Sequence, residues 1–272
     1  MRLERELEAA TGLALEAGAA LRRHRAGPLE VSYKAHGEPV TPADLEADAI
    51  IRAGLEAAFP EDVVFSEETA DSPARLSSPR VWIVDPLDST SNYTEHGDEY
   101  SVSIGLSLEG RPALGVVYNP ARNELFAGYQ GVGVTLNGSP VRVSDVSDLE
   151  RARLTVSRKE WRRGLDKFAT TLVITPVASM AYKLARVAAG LDDGVFSAVP
   201  RKEWGTCAGV ALVLAAGGYA SLLDGREISF NRPERRQPLG MVAAGPGLHR
   251  ALLETLRRLP STDGDMGRHP HA

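Results

Sequence analysis

Apolar positions at the start of the chain recur at helical spacing. Leu3, Leu7, Ala10, Ala14 and Ala17 share one face and Leu21 extends it, so an amphipathic helix opens the chain and Gly27-Pro28 ends it. A second helix is predicted from Asp44 to about Ala58, with Leu45, Ala49, Ile50 and Leu55 at helical spacing behind a Thr41-Pro42-Ala43-Asp44 start. The pattern then becomes alternating and short. An apolar run ends at Phe65 before Glu67 and Glu68, and Trp82 to Val84 read as a buried strand. Tyr100 to Leu108 and Gly115 to Tyr118 come next as strands, and Val132 to Leu136 leads into Asn137-Gly138, a hairpin dipeptide, before Val141 and Val143. Residues 70–80, rich in Ser and Pro, predict a mobile connection.

From about Ser144 helices and strands alternate. A strand is predicted at Leu154 to Val156, helices at Trp161 to Phe168 and Ser179 to Ala189, and a strand at Val195-Phe196. A helix from Cys207 to Ala216 and a strand from Tyr219 to Leu223 complete the series. This is α/β layering. The division it suggests is an N-terminal α+β subdomain over 1–143 carrying the acids and a C-terminal α/β subdomain over 144–245. A C-terminal helix and a tail, disordered after Pro260, fill 246–272.

Composition narrows the function little. A chain of 272 residues can bury a substantial core. Its 31 Lys and Arg against 36 Asp and Glu give a net charge of −5, which argues against nucleic acid as a bulk electrostatic partner. No apolar run of about 18 residues and no signal-peptide core are present, so no membrane partner and a cytoplasmic location are expected. A single cysteine, Cys207, excludes an internal disulfide and reads as packing.

The chemistry lies where apolar runs end in acids. Asp85 stands at the carboxyl end of its strand, Pro86 removes a ladder donor, and Asp88 is placed to cap the next element of the chain. Two carboxylates three residues apart on a rigid turn can share a hard cation, with the N–H groups of Ser89 and Thr90 facing an anion held against it. Glu67 and Glu68 end one further element and Asp44 opens another. Three acidic element ends make a candidate two-metal site.

Four ordered motifs carry a resemblance over roughly residues 30 to 240: Thr41-x-x-Asp44, Glu67-Glu68, Asp85-Pro86-x-Asp88-x-Thr90, and Trp204 with the later Ala216-Gly217-Gly218 and Asp224-Gly225. The chain resembles the inositol monophosphatase superfamily of magnesium-dependent phosphatases, which includes 3′(2′),5′-bisphosphate nucleotidases of the bacterial CysQ type. Ser179 to Gly190 is similar to that family's second-domain helix. The resemblance implies a layered αβαβα sandwich, a homodimer and Mg²⁺ held by Glu67, Asp85, Asp88 and the Leu87 carbonyl. It implies Asp44 and Thr90 as the pair that activates the attacking water, and the backbone of Ser89 and Thr90 as the phosphate turn. The implied reaction is hydrolysis of a small phosphorylated polyol, sugar or nucleotide.

Departures stand beside the matches. Gly205 replaces the aspartate that completes the family's second metal site, Ser89 replaces the phosphate-turn glycine, and Ala178 replaces the glycine before Ser179. Ser89 is harmless where its φ is negative and crowding where it is not. Gly205 leaves three readings open: an enzyme with a weaker second site, replacement of the lost carboxylate by Glu203, or a catalytically impaired relative that acts as a metal- or phosphate-binding protein. Ala198 stands where the inositol-specific branch has a glutamate. Arg201, Lys202 and Glu203 precede Trp204 as substrate contacts, the two cations suited to a second phosphate.

Overall fold

The computed structural model describes residues 2–35, 37–162 and 172–258. The opening helix, α1 (Glu4–Arg25), packs along α2 (Pro42–Ala58), and between them β1 (Ser32–Tyr33) and β2 (Pro39–Val40) form a short antiparallel hairpin. Helix α2 starts at Pro42 because Thr41 is its N-cap. Asp44, at the third helical position, closes a capping box with Thr41, and proline at the first turn has no N–H to leave unpaired.

Seven strands come next in chain order: β3 (Val63–Ser66), β4 (Arg80–Asp88), β5 (Ser101–Leu108), β6 (Arg111–Asn119), β7 (Glu124–Tyr129), β8 (Gly133–Leu136) and β9 (Ser139–Val141). Only the β3–β4 pairing is parallel; the rest is an antiparallel meander. Alternation along β4 divides two cores. Trp82 and Val84 join the layer under α1 and α2, while Val81 and Ile83 face the opposite way. A short helix, α3 (Thr90–Thr94), leaves the end of β4.

The second sheet contains β10 (Arg153–Ser157), β11 (Val173–Val177), β12 (Gly194–Ser197), β13 (Tyr219–Leu222) and β14 (Met241–Ala244), ordered β11-β10-β12-β14-β13. Helix α4 (Arg158–Arg162) succeeds β10, and the remainder of the helix expected to Phe168 lies outside the described residues, as does the tail. Helices α5 (Met180–Ala188) and α6 (Cys207–Ala215) fill the space between the sheets, where Ile83 and Val117 meet Leu184, Val210, Val195 and Met241. Helix α7 (Pro246–Arg258) covers the outer face through Leu248 and Leu252 against Val156, Phe196 and Val242. The layers run αβαβα, as expected. Among the described residues no helix is long and apolar enough to cross a membrane.

Two glycines set how closely α6 sits on the first sheet. A Cβ at Gly115 would lie 2.1 Å from the Ala208 carbonyl oxygen, and one at Gly105 would lie 2.7 Å from the Ala208 nitrogen. Helix α6 rests there backbone against backbone, apolar all round and buried.

Two local expectations are corrected. Strand β4 does not stop at Pro86: it runs to Asp88 through a bulge, since Asp85 pairs with Ser103 and Asp88 with Ser101. The extra residue on the β4 side is where a residue without an N–H can sit in a sheet. Residues 70–80 include a 3₁₀ turn, Pro73–Ser77, tied down by buried Arg75. Its guanidinium binds Asp71, the Asn231 side chain at 2.8 Å and the Arg232 carbonyl at 2.8 Å, and stacks over Phe65.

Candidate active site

The carboxyl ends of β3 and β4 meet the starts of α3, α5 and α6 around a cleft of about 450 Å³. Glu67, Asp85, Leu87, Asp88, Ser89 and Thr90 all line it. Asp44 stands behind this wall, buried, and reaches the cleft through Thr90. Its Oδ2 accepts from the Thr41 N–H at 2.9 Å and the Thr41 hydroxyl at 2.6 Å, and its Oδ1 accepts from the Thr90 hydroxyl at 3.0 Å. Burial raises the Asp44 pKa above the ordinary aspartate value, against the pull of those donors. The helix cap thus positions a carboxylate against Thr90.

Asp88 does not cap the helix next to it in the chain. Its Oδ2 accepts from the Ser179 hydroxyl at 2.6 Å and the Ala181 N–H at 2.7 Å, so it caps α5, whose N-cap Ser179 lies 91 residues further on. Ser179 is itself the N-cap of α5 through the Tyr182 N–H. Burial raises the Asp88 pKa, with the Ser179 and Ala181 donors opposing.

Asp85 is the strained member. It is 3 % exposed, and its Oδ1 has no hydrogen-bond partner. Burial first, then repulsion from Glu67 and Asp88, hold its pKa well above the ordinary value. Glu67 lies between two ammonium groups, with Lys34 Nζ at 3.2 Å and Lys202 Nζ at 3.5 Å from its Oε1.

The acids expected to form a candidate two-metal site line one cleft, each engaged by groups of the chain. Among the described residues no three His, Cys, Asp or Glu side chains are arranged to hold an ion. Glu67 is drawn toward the lysines and Asp88 toward α5. The donor chemistry still suits one hard cation, because a buried carboxylate oxygen without a partner, repelled by neighbouring acids, is the group such an ion would satisfy.

Ser89 adopts φ 80° and ψ 54°, the left-handed region. Its β-carbon costs about 1 kcal/mol there, a strain that glycine would avoid. Ala178 carries no such strain; its φ is not positive and its N–H donates to Glu99 at 2.9 Å.

The opposite wall is basic. Arg201 lines the cleft, tied to the buried Glu160 and, through Nε, to the Ser197 hydroxyl at 2.7 Å. Lys202 binds Glu38 at 2.6 Å. Glu203 is neither a substrate contact nor a replacement metal ligand. It is fully buried and turned away from the cleft, accepting from the Asn231 N–H at 2.7 Å and the Arg232 N–H at 2.9 Å. Burial pushes its pKa up to about 7.

The sequence reading missed Glu160, whose two oxygens bind Ser157, Ser197, Arg201 and the Ala198 N–H. The Ser157-x-x-Glu160 spacing is a capping-box signature that would have found it. It also missed Lys183, fully buried on α5, whose Nζ donates to the Val177 carbonyl at 2.8 Å and whose pKa burial pushes down to about 7. No local pattern distinguishes that lysine from a solvated one.

The sequence profile described as the inositol monophosphatase family matches residues 2–261. The chain is 34 % identical over 240 residues to inositol monophosphatase 3 of Solanum lycopersicum, covering 84 % of this chain and 90 % of that protein. The chain belongs to the inositol monophosphatase family. It is also 31 % identical over 242 residues to the Nus factor SuhB of Escherichia coli K12, over 84 % of this chain and 86 % of that one. The solved inositol monophosphatase of Anabaena (Nostoc) sp. PCC 7120 superposes with a TM-score of 0.82 at 28 % identity, covering 97 % of this chain and 99 % of that one.

Against the family's pattern, Gly205 acquires a position. Ser103 on β5 donates to the Trp204 carbonyl at 3.3 Å, which fixes the turn into α6. A Cβ added at Gly205 would lie 3.7 Å from Asp85 Oδ2, in ordinary contact and meeting nothing else within 4 Å. A β-carbon is therefore accommodated at position 205, and a side chain there would start beside Asp85.

Proposed function

We propose that the chain is a Mg²⁺-dependent phosphomonoesterase acting on a small phosphorylated polyol, sugar or nucleotide. The observation that supports this most directly is the unpartnered, buried Oδ1 of Asp85 at the head of the Asp85-to-Thr90 turn, across from Thr90 and Asp44. Asp85, Asp88, Glu67 and the Leu87 carbonyl would hold the ion. When bound it supplies neutralisation of phosphoryl charge and a water acidic enough to ionise near neutral pH.

The chain's own groups do the rest. Thr90 Oγ1 and Asp44 Oδ1, 3.0 Å apart, hold the attacking water and receive its proton. Burial makes Asp44 a stronger base than a solvated aspartate. Backbone N–H groups at Ser89 and Thr90 orient the phosphoryl oxygens, and the basic wall at Arg201 and Lys202 draws the anionic ester in. At Ala198, the position of the inositol branch's glutamate, only the backbone N–H is engaged, with Glu160 at 2.8 Å, which leaves the substrate's hydroxyls without that acid.

The test is phosphate release from inositol, sugar and adenosine 3′,5′-bisphosphate esters over a Mg²⁺ titration, with a Li⁺ control. Release that rises with Mg²⁺ is expected, and no release at any concentration from folded protein would overturn the reading. In the same assay Gly205→Asp is expected to shift the Mg²⁺ dependence about 10-fold toward lower concentration, the effect of one added carboxylate beside Asp85. An unchanged Mg²⁺ requirement would show that another group already fills that place.

A further inference from the structure

Glu67 differs from the other candidate metal carboxylates in having counter-ions supplied by the chain. Its Oε1 lies 3.2 Å from Lys34 Nζ and 3.5 Å from Lys202 Nζ. The two lysines are not equivalent. Lys34 has a second, closer partner in Glu68, at 2.6 Å, whose side chain is 5 % exposed. Among the described residues the other carboxylate that Lys202 meets is Glu38, at 2.6 Å, whose side chain is 41 % exposed and sits beside the β1–β2 hairpin. The Lys202 ammonium also stands over Trp204, with Nζ 5.0 Å from the ring centroid.

Lys202 also occupies a boundary. Together with Glu38, Glu67, Trp204 and Arg236 it lines both the main cleft and an adjoining one of about 350 Å³. A divalent cation captured by Glu67 would repel both ammonium groups. Lys34 keeps its buried partner. Lys202 is left with a half-solvated one, and half-solvated pairs hold weakly.

Resting on the phosphatase reading above, we propose that Lys202 is a built-in counter-ion of Glu67 that a divalent cation displaces toward the substrate's anionic group. Cation and anion then bind with positive coupling that passes through this side chain. In the cation-free protein Lys202 is occupied by Glu67 and Glu38, so it adds little to anion binding. With the cation present it is free to take part.

Calorimetry with Mg²⁺ alone and with inorganic phosphate alone or together tests this. Lys202→Met keeps an unbranched side chain of similar length beside Trp204 and removes the charge. It is expected to tighten Mg²⁺ binding in the absence of phosphate by about 3- to 10-fold, the scale of one partly exposed competing charge. It is also expected to weaken phosphate binding by a similar factor only when Mg²⁺ is present. Lys202→Arg should return Mg²⁺ affinity to within about 2-fold of the parent protein. Lys159→Met, which removes a charge from the same cleft wall without a bond to Glu67, should leave it within the same range.

Unchanged Mg²⁺ affinity in Lys202→Met, or an equal loss of phosphate affinity with and without Mg²⁺, would overturn the exchange while leaving the phosphatase intact if the parent still releases phosphate. No Mg²⁺ binding and no phosphate release by the parent would overturn both readings together.

Discussion

Asp85→Asn is expected to lower Mg²⁺-dependent phosphate release by on the order of 10³-fold and, in metal-free protein, to raise the melting temperature. The first effect comes from removing a carboxylate from the ion that neutralises the phosphoryl group, a contribution of several kcal/mol to the transition state. The second comes from the like charges around Asp85. Asparagine has nearly the same shape and lacks the charge that Glu67 and Asp88 oppose. Each kcal/mol of relieved repulsion is worth about 2–4 °C in a chain of this size.

The sign of the pH dependence separates this from a packing effect. The folded protein raises the Asp85 pKa, so the native state holds that proton more tightly than the unfolded chain. Its contribution to stability is fully present below the ordinary aspartate value of about 3.9 and is lost as pH rises through the folded value. The melting-temperature gap between Asp85→Asn and the parent in EDTA should therefore be small near pH 4 and widen toward neutrality. A gap that does not change with pH would remove the charge from the explanation, and full activity in the variant would remove Asp85 from the site.

Asp44→Asn is expected to lower kcat by about 10²- to 10⁴-fold, the range for loss of a positioned base. Mg²⁺ affinity should stay within about 3-fold, since Asp44 lies behind Thr90 rather than on the cleft wall. The asparagine oxygen can still accept from the Thr41 N–H and hydroxyl, so the start of α2 is kept. Its amide then faces Thr90 as a donor, and the threonine hydroxyl loses the acceptor that takes its proton. Thr90→Val should give a similar loss, and the double variant should be no worse than about 3-fold below either single one, because the two act as a unit. Multiplying losses, or a kcat close to the parent's for Asp44→Asn, would separate Asp44 from the chemistry.

Local features were the legible ones in the sequence. The Thr41-x-x-Asp44 start gave the helix boundary and the carboxylate together, since a capping box is written within one turn. The apolar run into Asp85 placed a buried strand at the site because alternation and chain termination by acids are properties of a few adjacent residues. The misread features depend on distant partners. Asp88 was expected to cap the nearest helix and instead accepts from an N–H of α5, 93 residues away. Residues 70–80 read as a mobile connection because their Ser and Pro are visible in sequence, whereas the contacts of Arg75 with Asn231 and Arg232 are not. Glu203 read as a cleft residue from its place beside Lys202, and only the path of residues 231–232 shows that both its oxygens are already used. Strands β7, β11 and β14 escaped the pattern for the same reason: their short segments become strands through neighbours that the sheet provides.

The seating of α6 on Gly105 and Gly115 bears on how this scaffold can change. Backbone pressed on backbone leaves no flexible side chain to absorb a shift of that helix, so the floor that carries residue 205 beside Asp85 resists drift. The rim at 199–202 and 234–236 instead lines the clefts with side chains, so a changed residue there alters what the cleft presents without moving the backbone of α6. Such a molecule pairs a floor whose place the backbone fixes with a rim whose chemistry can be exchanged one residue at a time.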